Sequence, residues 1–253
     1  MKLLKIVRDA FADEADGFGR ISKALRPADF FTLLNAITGL LGLVLLTHGR
    51  VDDAVKLIAL AVVLDGCDGI AARLWGGGPL GPFLDTLADL VSFGLLPAAI
   101  VAVVITPQWI GLVMGSMFLV AGMLRLARFE ALREKTTRNY HSGMTTTGAA
   151  ILIGMIIFVG VPDWAIIAAT ALLAFMMVSR IRTLRLTFWP LVAGAFTLFP
   201  MFLSFVVPIP RSIVVACLLT GMFLYTIVGP FAILAWFGPT KHPNEQTERS
   251  EES

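Results

Sequence analysis

Cysteine, histidine and charged residues are all scarce in this 253-residue sequence, which has two cysteines, three histidines and only 15% charged residues. Cys67 and Cys217 fall in separate apolar stretches, so they predict buried free thiols and exclude a disulfide framework. The histidines at positions 48, 141 and 242 lack the spacing of zinc ligands. The low charged fraction excludes an ordinary soluble domain.

Apolar residues are abundant instead, at 57% of the chain. A helix that crosses a membrane needs about 20 mostly apolar residues, and eight stretches of the sequence offer that. They lie at 29–48, 52–75, 82–106, 108–131, 144–161, 163–179, 187–207 and 211–237. The sequence therefore predicts an all-α integral membrane protein with about eight transmembrane helices, in one membrane domain over residues 28–237.

The two ends of the chain differ from this apolar domain. Residues 1–27 mix charged and apolar side chains, which predicts an amphipathic helix lying on the inner membrane surface and no secretory signal peptide. An ordinary solvated or protein-packed helix is the alternative. Residues 238–253 have almost no apolar side chains and are predicted to form a disordered cytosolic tail.

The Lys and Arg residues predict the orientation of the chain through the positive-inside rule. With the N-terminus in the cytosol and eight helices, only Arg50, Lys56 and Arg211 of the 20 Lys and Arg residues fall on the outer side. Both termini are therefore expected inside, at the cytoplasmic membrane. The cytosolic face is the side on which a charged, water-soluble ligand would arrive.

Four aspartates stand in an otherwise apolar stretch, LDGCDGIAARLWGGGPLGPFLDTLAD, at residues 64–89. A lone Asp at the centre of a membrane helix costs roughly 2.5–3.5 kcal/mol, so four unpaired ones could cost on the order of 10–14 kcal/mol. Asp65 and Asp68 are three residues apart, and Asp85 and Asp89 are four apart, so each pair shares a helix face. The glycine-rich turn between them sends the chain back, which predicts one shared site.

Four carboxylates in one site must be protonated, paired with cations or bound to metal. Arg73 can offset one charge, whereas hard divalent cations prefer oxygen ligands and two of them would offset four charges. A two-metal site could clamp a phosphate or pyrophosphate. Two other interpretations are that the acids cap helix ends or pair with arginines, and that they form the ion path of a cation transporter.

These residues resemble the signature of the CDP-alcohol phosphotransferase family, D-x2-D-G-x2-A-R followed by G-x3-D-x3-D. All eight signature positions are filled, by Asp65, Asp68, Gly69, Ala72, Arg73, Gly81, Asp85 and Asp89. The resemblance implies an enzyme that moves a phosphate-linked group from a CDP-activated donor to an alcohol and releases CMP.

The resemblance also implies a role for each motif residue. The four aspartates would bind two divalent cations, Mg²⁺ or Mn²⁺, and Asp89 would also take the proton of the acceptor hydroxyl. The CDP site would be shaped by Gly69, Ala72, Arg73 and Gly81. Related proteins form homodimers, and no nucleic-acid partner is expected.

The run after Asp89, SFGLLPA at residues 92–98, is similar to the phosphatidylserine synthases within this family, as are residues 32–35 with Gly39, 124–129 and 178–182. This similarity implies a CDP-activated lipid as donor and L-serine as acceptor, in phospholipid biosynthesis. The carboxylate of serine needs a cation, for which Arg125 and Arg128 are candidates, with Arg180 and Arg182 as alternatives. Ser92 could hydrogen-bond near the base.

One stretch departs from that subfamily. Its usual G-L-P-x-P-like sequence is replaced by YHSGMTTTG at residues 140–148, where three threonines take the place of the prolines. The acceptor therefore stays open between serine and, as rivals, glycerol phosphate or an inositol phosphate, whose dianionic phosphates need a denser basic pocket. A cation transporter and an inactive membrane scaffold remain the alternatives from other functional classes.

Overall fold

The computed structural model describes residues 25–78, 80–132, 140–142, 144–179 and 182–184, together with residue 216. The chain divides into two compact units, residues 1–185 with 205–207, and residues 186–204 with 208–253. The elements of the first unit are α1 (Pro27–Thr47), α2 (Val51–Trp75), α3 (Gly81–Asp89), a π-helical segment (Leu90–Leu95), α4 (Leu96–Val104), α5 (Gln108–Leu132), β1 (Tyr140–Ser142), α6 (Thr146–Val159), α7 (Asp163–Val178) and β2 (Arg182–Leu184). In the second unit, the single described residue is helical.

The first six predicted spans correspond to helices of the structure, with ends that differ by at most two residues. The third predicted span is the continuous run of α3, the π-helical segment and α4. The predicted spans 187–207 and 211–237 lie outside the described residues apart from residue 216. The predicted tail at 238–253 and residues 1–24 of the predicted surface helix lie outside them as well.

Three helical stretches among the described residues are long and apolar enough to cross a membrane: Pro27–Thr47, Gly81–Val104 and Gln108–Leu132. Helix α2 has the length, but it carries charged residues near both ends, and α6 and α7 are shorter apolar helices. Large apolar side chains such as Leu40 on α1 and Leu112 on α5 are more than half exposed. Such surfaces suit lipid and not water, in agreement with the predicted integral membrane protein.

The helix boundaries follow from local chemistry. Helix α1 begins with a proline, and the Asp29 carboxylate accepts a hydrogen bond of 2.7 Å from the Arg26 backbone N–H just before it. Beyond its end, Gly49 takes a φ of 72°, and α2 is followed by Gly76 with a φ of 82°. Glycine adopts this left-handed region without steric cost. The chain therefore turns sharply after both helices.

The π-helical segment Leu90–Leu95 interrupts the third span directly after Asp89. A π-turn fits an extra residue into the helix and is found mostly at functional sites. Ser92, Phe93 and Gly94 of this segment are all buried, and α1 packs along it. The sequence contained no signal for this segment, since its residues have ordinary helical preferences.

A short pair of strands departs from the predicted all-helical fold. β1 and β2 pair antiparallel, with Tyr140 opposite Leu184 and Ser142 opposite Arg182. Strands of three residues carry too little apolar periodicity to be recognised from sequence. Their ladder satisfies backbone groups of the segment between α5 and α6 and of a segment that follows α7.

Helices α4 and α5 pack at close range because α5 has glycines where α4 presents backbone. A methyl group on Gly111 would lie 2.6 Å from the Ala102 carbonyl oxygen, and one on Gly115 would clash with the Ala98 carbonyl oxygen. Small residues allow membrane helices to approach in this way. The turn before α5 is also attached to α7, since the backbone N–H and the hydroxyl of Thr106 donate to Asp163 at 2.9 and 2.7 Å.

Substitution of Gly111 by alanine should destabilise the protein, because the added methyl group meets rigid backbone. Overpacking of this kind costs about 1–3 kcal/mol, so we expect a lower thermal unfolding temperature in detergent. Gly66→Ala is the matched control, since a methyl group at that helical position meets nothing within 4 Å. Equal unfolding temperatures for Gly111→Ala and the wild type would contradict the close packing of α4 on α5.

Candidate active site

Three of the four motif aspartates converge in the structure. Asp65 and Asp68 lie one turn apart near the end of α2, and Asp85 lies on α3. One carboxylate oxygen from each comes within 4.8 Å of the others. Asp68 is buried, and the other two are partly buried. The predicted shared site therefore exists, and its three carboxylates are close enough to share a cation.

Asp89, the fourth motif aspartate, ends α3 and adjoins Asp65 and Asp85. Its carboxyl group makes a side-chain hydrogen bond with Asp65 and lies near Asp85 and Arg125. Two carboxyl oxygens at hydrogen-bond distance repel unless a proton or a cation separates them. The other oxygen, Oδ1, is buried and has no hydrogen-bond partner among the described residues. Asp89 thus retains one lone-pair site for a ligand or a proton.

Helix α1 supplies a partner that the sequence motif does not include. The Thr32 hydroxyl donates a 2.8 Å hydrogen bond to Asp68 Oδ2, and both side chains are buried. This bond fixes the orientation of the carboxylate and leaves its other oxygen for a ligand. A hydroxyl in an apolar helix is a weak signal in sequence, since threonines also bond to their own helix, as Thr38 does with the Leu34 carbonyl.

Asn35 lies one turn after Thr32 and is fully buried, yet its amide nitrogen and oxygen have no hydrogen-bond partner among the described residues. Its backbone carbonyl accepts a 2.8 Å bond from the hydroxyl of Ser92. The predicted acceptor ligand Ser92 is itself fully buried and links α1 to the π-helical segment. An unpartnered buried amide is costly, so Asn35 marks a second buried polar position on α1, one turn from Thr32.

The residues predicted for the CDP site border the carboxylates without closing over them. Gly69 and Ala72 are partly buried, and Arg73 is exposed at the end of α2. A methyl group on Gly69 would meet nothing within 4 Å, whereas one on Gly81 would lie 3.0 Å from Asp29 Oδ1. No described helix packs against Gly69, so the space beside Asp68 is open. This favours ligand approach over helix packing as the reason for that glycine.

Arg125 and Arg128, the two arginines predicted to bind the acceptor, have different surroundings. Arg125 lies close enough to Asp89 for the two charges to interact. It donates a 3.0 Å hydrogen bond to the Thr146 hydroxyl, and its guanidinium lies 5.7 Å from the centre of the Phe129 ring. Arg125 is thus the arginine that adjoins the carboxylates.

Arg128 instead caps a helix. Its guanidinium donates to the carbonyls of Met177, Val178 and Ser179, at 3.4, 3.1 and 3.3 Å. These are backbone acceptors at the carboxyl end of α7, where a cation is stabilising. Of the predicted alternatives, Arg180 lies outside the described residues and Arg182 belongs to β2.

Divalent cations fit this set of residues. Three carboxylates offer oxygens within 4.8 Å of one another, and a fourth keeps a buried oxygen without a partner. Mg²⁺ and Mn²⁺ prefer such oxygen ligands, and carboxylates held this close need positive charge between them. The arrangement is suited to binding an anionic phosphate through cations, next to a carboxylate that can accept a proton.

The family resemblance inferred from the aspartate motif is confirmed by comparison with known proteins. The model of a family described as CDP-alcohol phosphatidyltransferase matches residues 25–179. The matched region covers α1 to α7 and contains the four motif aspartates, Arg125 and Arg128.

Individual relatives carry names of serine-dependent synthases. The archaetidylserine synthase of Methanothermobacter thermautotrophicus is 32% identical over 117 residues, 45% of this chain and 50% of the relative. The CDP-diacylglycerol–serine O-phosphatidyltransferase of Mycobacterium bovis is 34% identical over 133 residues, 49% of this chain and 46% of the relative. The protein of the same name from Bacillus subtilis is 32% identical over 154 residues, 60% of this chain and 85% of the relative. The chain thus spans about half the length of the first two.

Loss of the Thr32 hydroxyl should weaken cation binding. We expect Thr32→Val to lower the Mn²⁺ affinity of the purified protein about tenfold, since partners that orient a metal ligand typically contribute 10–100-fold. Asp68→Asn should lower it further because a ligand oxygen and its charge are lost. Titration followed by electron paramagnetic resonance of free Mn²⁺ measures both without an enzymatic assay.

Asp53→Asn is the matched control for the cation titration. Asp53 is an acid on the same helix α2, but it pairs with Arg50 at 2.6 Å and Lys56 at 3.2 Å. Its replacement should leave Mn²⁺ binding unchanged. If Asp53→Asn and Asp68→Asn lowered the affinity equally, the cation would not be bound by the motif aspartates.

Proposed function

Because the chain belongs to the CDP-alcohol phosphatidyltransferase family, we propose that it transfers a phosphatidyl-type group from a CDP-activated lipid to the hydroxyl of L-serine. CMP is the second product, and phospholipid biosynthesis is the context. The observation that carries the proposal is the convergence of four motif carboxylates next to one half-buried arginine, Arg125. The names of the relatives support serine as the acceptor.

In this proposal Asp65, Asp68, Asp85 and Asp89 hold two divalent cations, Mg²⁺ or Mn²⁺. When bound, such ions polarise the pyrophosphate and stabilise the leaving CMP. The crowding of the carboxylates supports the assignment, because oxygens of Asp65, Asp68 and Asp85 lie within 4.8 Å of one another and their repulsion must be offset by positive charge. Thr32 holds the Asp68 carboxylate in place through its 2.8 Å hydrogen bond.

Asp89 acts as the general base. Its unpartnered oxygen Oδ1 can accept the proton of the serine hydroxyl. The serine oxygen attacks the lipid-linked phosphorus of the donor at the same time. The new bond joins the serine oxygen to this phosphorus, and the bond from phosphorus to the bridging oxygen of the pyrophosphate breaks. The electron pair leaves with CMP, and the proton stays on Asp89.

The donor enters on the side of Gly69, where the space beside Asp68 is open. Gly69, Ala72, Arg73 and Gly81 shape the CDP site, and the lipid tails lie between helices. The proposal covers donors with ester-linked tails, such as CDP-diacylglycerol, and their ether-linked analogues.

Arg125 binds the carboxylate of serine. It adjoins Asp89, so a serine whose hydroxyl reaches the base would bring its carboxylate near the guanidinium. Arg128 has its guanidinium on three backbone carbonyls, and Ser92 is bonded to α1. In this proposal Arg128 and Ser92 stabilise the helix packing around the site and do not contact the acceptor. One arginine suits a single carboxylate better than the dianionic phosphate of glycerol phosphate or an inositol phosphate.

The proposal extends to the arrangement in the membrane. We place the whole membrane domain at residues 28–237 with eight spans, in the cytoplasmic membrane, with the site facing the cytosol and both termini inside. Residues 1–27 lie on the inner surface, and residues 238–253 form a cytosolic tail. The charge distribution of the sequence supports this orientation. The family resemblance also leads us to propose a homodimer. The mass of the detergent-solubilised protein tests this oligomeric state.

The acceptor is tested by CMP release from purified protein in detergent with CDP-diacylglycerol, Mn²⁺ and one acceptor at a time. We expect release with L-serine and little with glycerol phosphate or inositol phosphate. Release that requires one of the phosphate acceptors would replace serine in the proposal. Cation flux in liposomes without any CMP release would support the transporter interpretation.

Replacement of the base should abolish turnover without unfolding the protein. We expect Asp89→Asn to lower kcat at least 100-fold, since general base catalysis contributes about 10²–10⁴-fold. The unfolding temperature should remain within a few degrees of the wild type. CMP release measured under saturating donor and serine gives the result, and turnover close to that of the wild type would exclude Asp89 as the base.

A further inference from the structure

Two of the three threonines at the start of α6, Thr145 and Thr146, have different partners. Thr145 caps the helix, since its hydroxyl accepts a 3.1 Å hydrogen bond from the Gly148 backbone N–H. Thr146, the first residue of α6, is fully buried. Its hydroxyl accepts the 3.0 Å hydrogen bond from Arg125. A side chain at the start of one helix is thus attached to the arginine that adjoins the carboxylates.

The use of this hydroxyl differs from that of two other buried threonines, Thr38 and Thr170. Thr38 and Thr170 donate to the carbonyl four residues earlier in their own helices, at 2.8 and 2.7 Å. Thr146 begins its helix and has no helical carbonyl four residues before it, so its hydroxyl is available to α5. A hydroxyl oxygen has lone pairs that suit a guanidinium N–H.

Helix α5 packs against Thr146. Gly122 lies one turn before Arg125, and a methyl group on it would lie 3.4 Å from Thr146 Cγ2, an ordinary van der Waals contact. Gly122 therefore faces the threonine. Packing and hydrogen bonding together bring the Thr146 hydroxyl to the Arg125 guanidinium.

We infer that Thr146 is a positioning residue that holds Arg125 in place to bind the carboxylate of the acceptor and thereby selects serine over uncharged amino alcohols. This inference rests on the proposed serine transfer. Arg125 is attracted by Asp89 and repelled by Arg128, so its long side chain needs a neutral anchor. One N–H of the Arg125 guanidinium is bonded to Thr146, and the other N–H groups of this planar guanidinium can donate to a carboxylate.

The consequence for specificity can be measured with two acceptors. L-Serine carries the carboxylate, whereas L-serinamide keeps the hydroxyl and ammonium groups but is uncharged at that position. Thr146→Val retains the shape of the side chain and removes the hydroxyl. We expect it to raise the KM for serine about tenfold, with kcat and the KM for CDP-diacylglycerol changed less than about twofold, since the lost hydrogen bond is one to a charged group. The kcat/KM for serinamide should change less than about twofold.

Two further variants separate positioning from stability. Thr146→Ser restores a hydroxyl and should recover most of the serine KM. Thr170→Val removes an equally buried hydroxyl from α7, where it bonds only to its own helix, and should leave the serine KM unchanged. Unfolding temperatures of all variants in detergent report any loss of fold.

The outcomes are distinct. A serine KM for Thr146→Val equal to that of the wild type would overturn the inference, as would an equal loss with serine and serinamide, which would indicate a purely structural role. Failure of the wild type to release CMP with serine would contradict both the proposed function and the inference. If the wild type is active with serine and Thr146→Val has the same serine KM, only the inference is contradicted.

Discussion

Electrostatic repulsion among four carboxylates, in surroundings that are mostly apolar, is the constraint on which this structure depends. The ends of α2 and α3 bring Asp65, Asp68 and Asp85 within 4.8 Å of one another and hold Asp89 against Asp65. A fold does not maintain such a cluster without positive charge. Two neighbouring features meet this constraint: α1 donates the Thr32 hydroxyl to Asp68, and α5 brings Arg125 close to Asp89.

The parts that the sequence predicted are those governed by strong local signals. Apolar runs bounded by glycine, proline and charged residues predicted the first six helices. A segment in lipid must be long enough to cross the bilayer and must satisfy its backbone hydrogen bonds internally. The acid spacing gave the site, since residues three and four apart on a helix share a face. The family motif added an identity that spacing alone could not supply, as acids of a transporter would have satisfied the same geometry.

The parts that the sequence did not predict depend on partners distant in the chain. Arg125 and Arg128 lie three residues apart on the same helix, so the sequence offered no reason to prefer either as the acceptor ligand. In the structure, Arg125 adjoins Asp89 and Arg128 caps α7. Thr32 and Thr146 each place one hydroxyl among apolar residues, and only their contacts distinguish them from Thr38 and Thr170. The strand pair is too short for a period, and the π-helical segment depends on packing against α1 and not on residue preference.

The π-helical segment has a consequence for how one span can serve two partners. Each residue advances an α-helix by about 100°, so the extra residue at Leu90–Leu95 rotates α4 by about that angle relative to an unbroken helix. The first half of the span can then direct Asp85 and Asp89 toward Asp65, while the second half presents Ala98 and Ala102 to the glycines of α5. The two halves are out of phase. Substitutions in the α4–α5 contact can therefore change the packing of the second half while the first half keeps the direction of its aspartates.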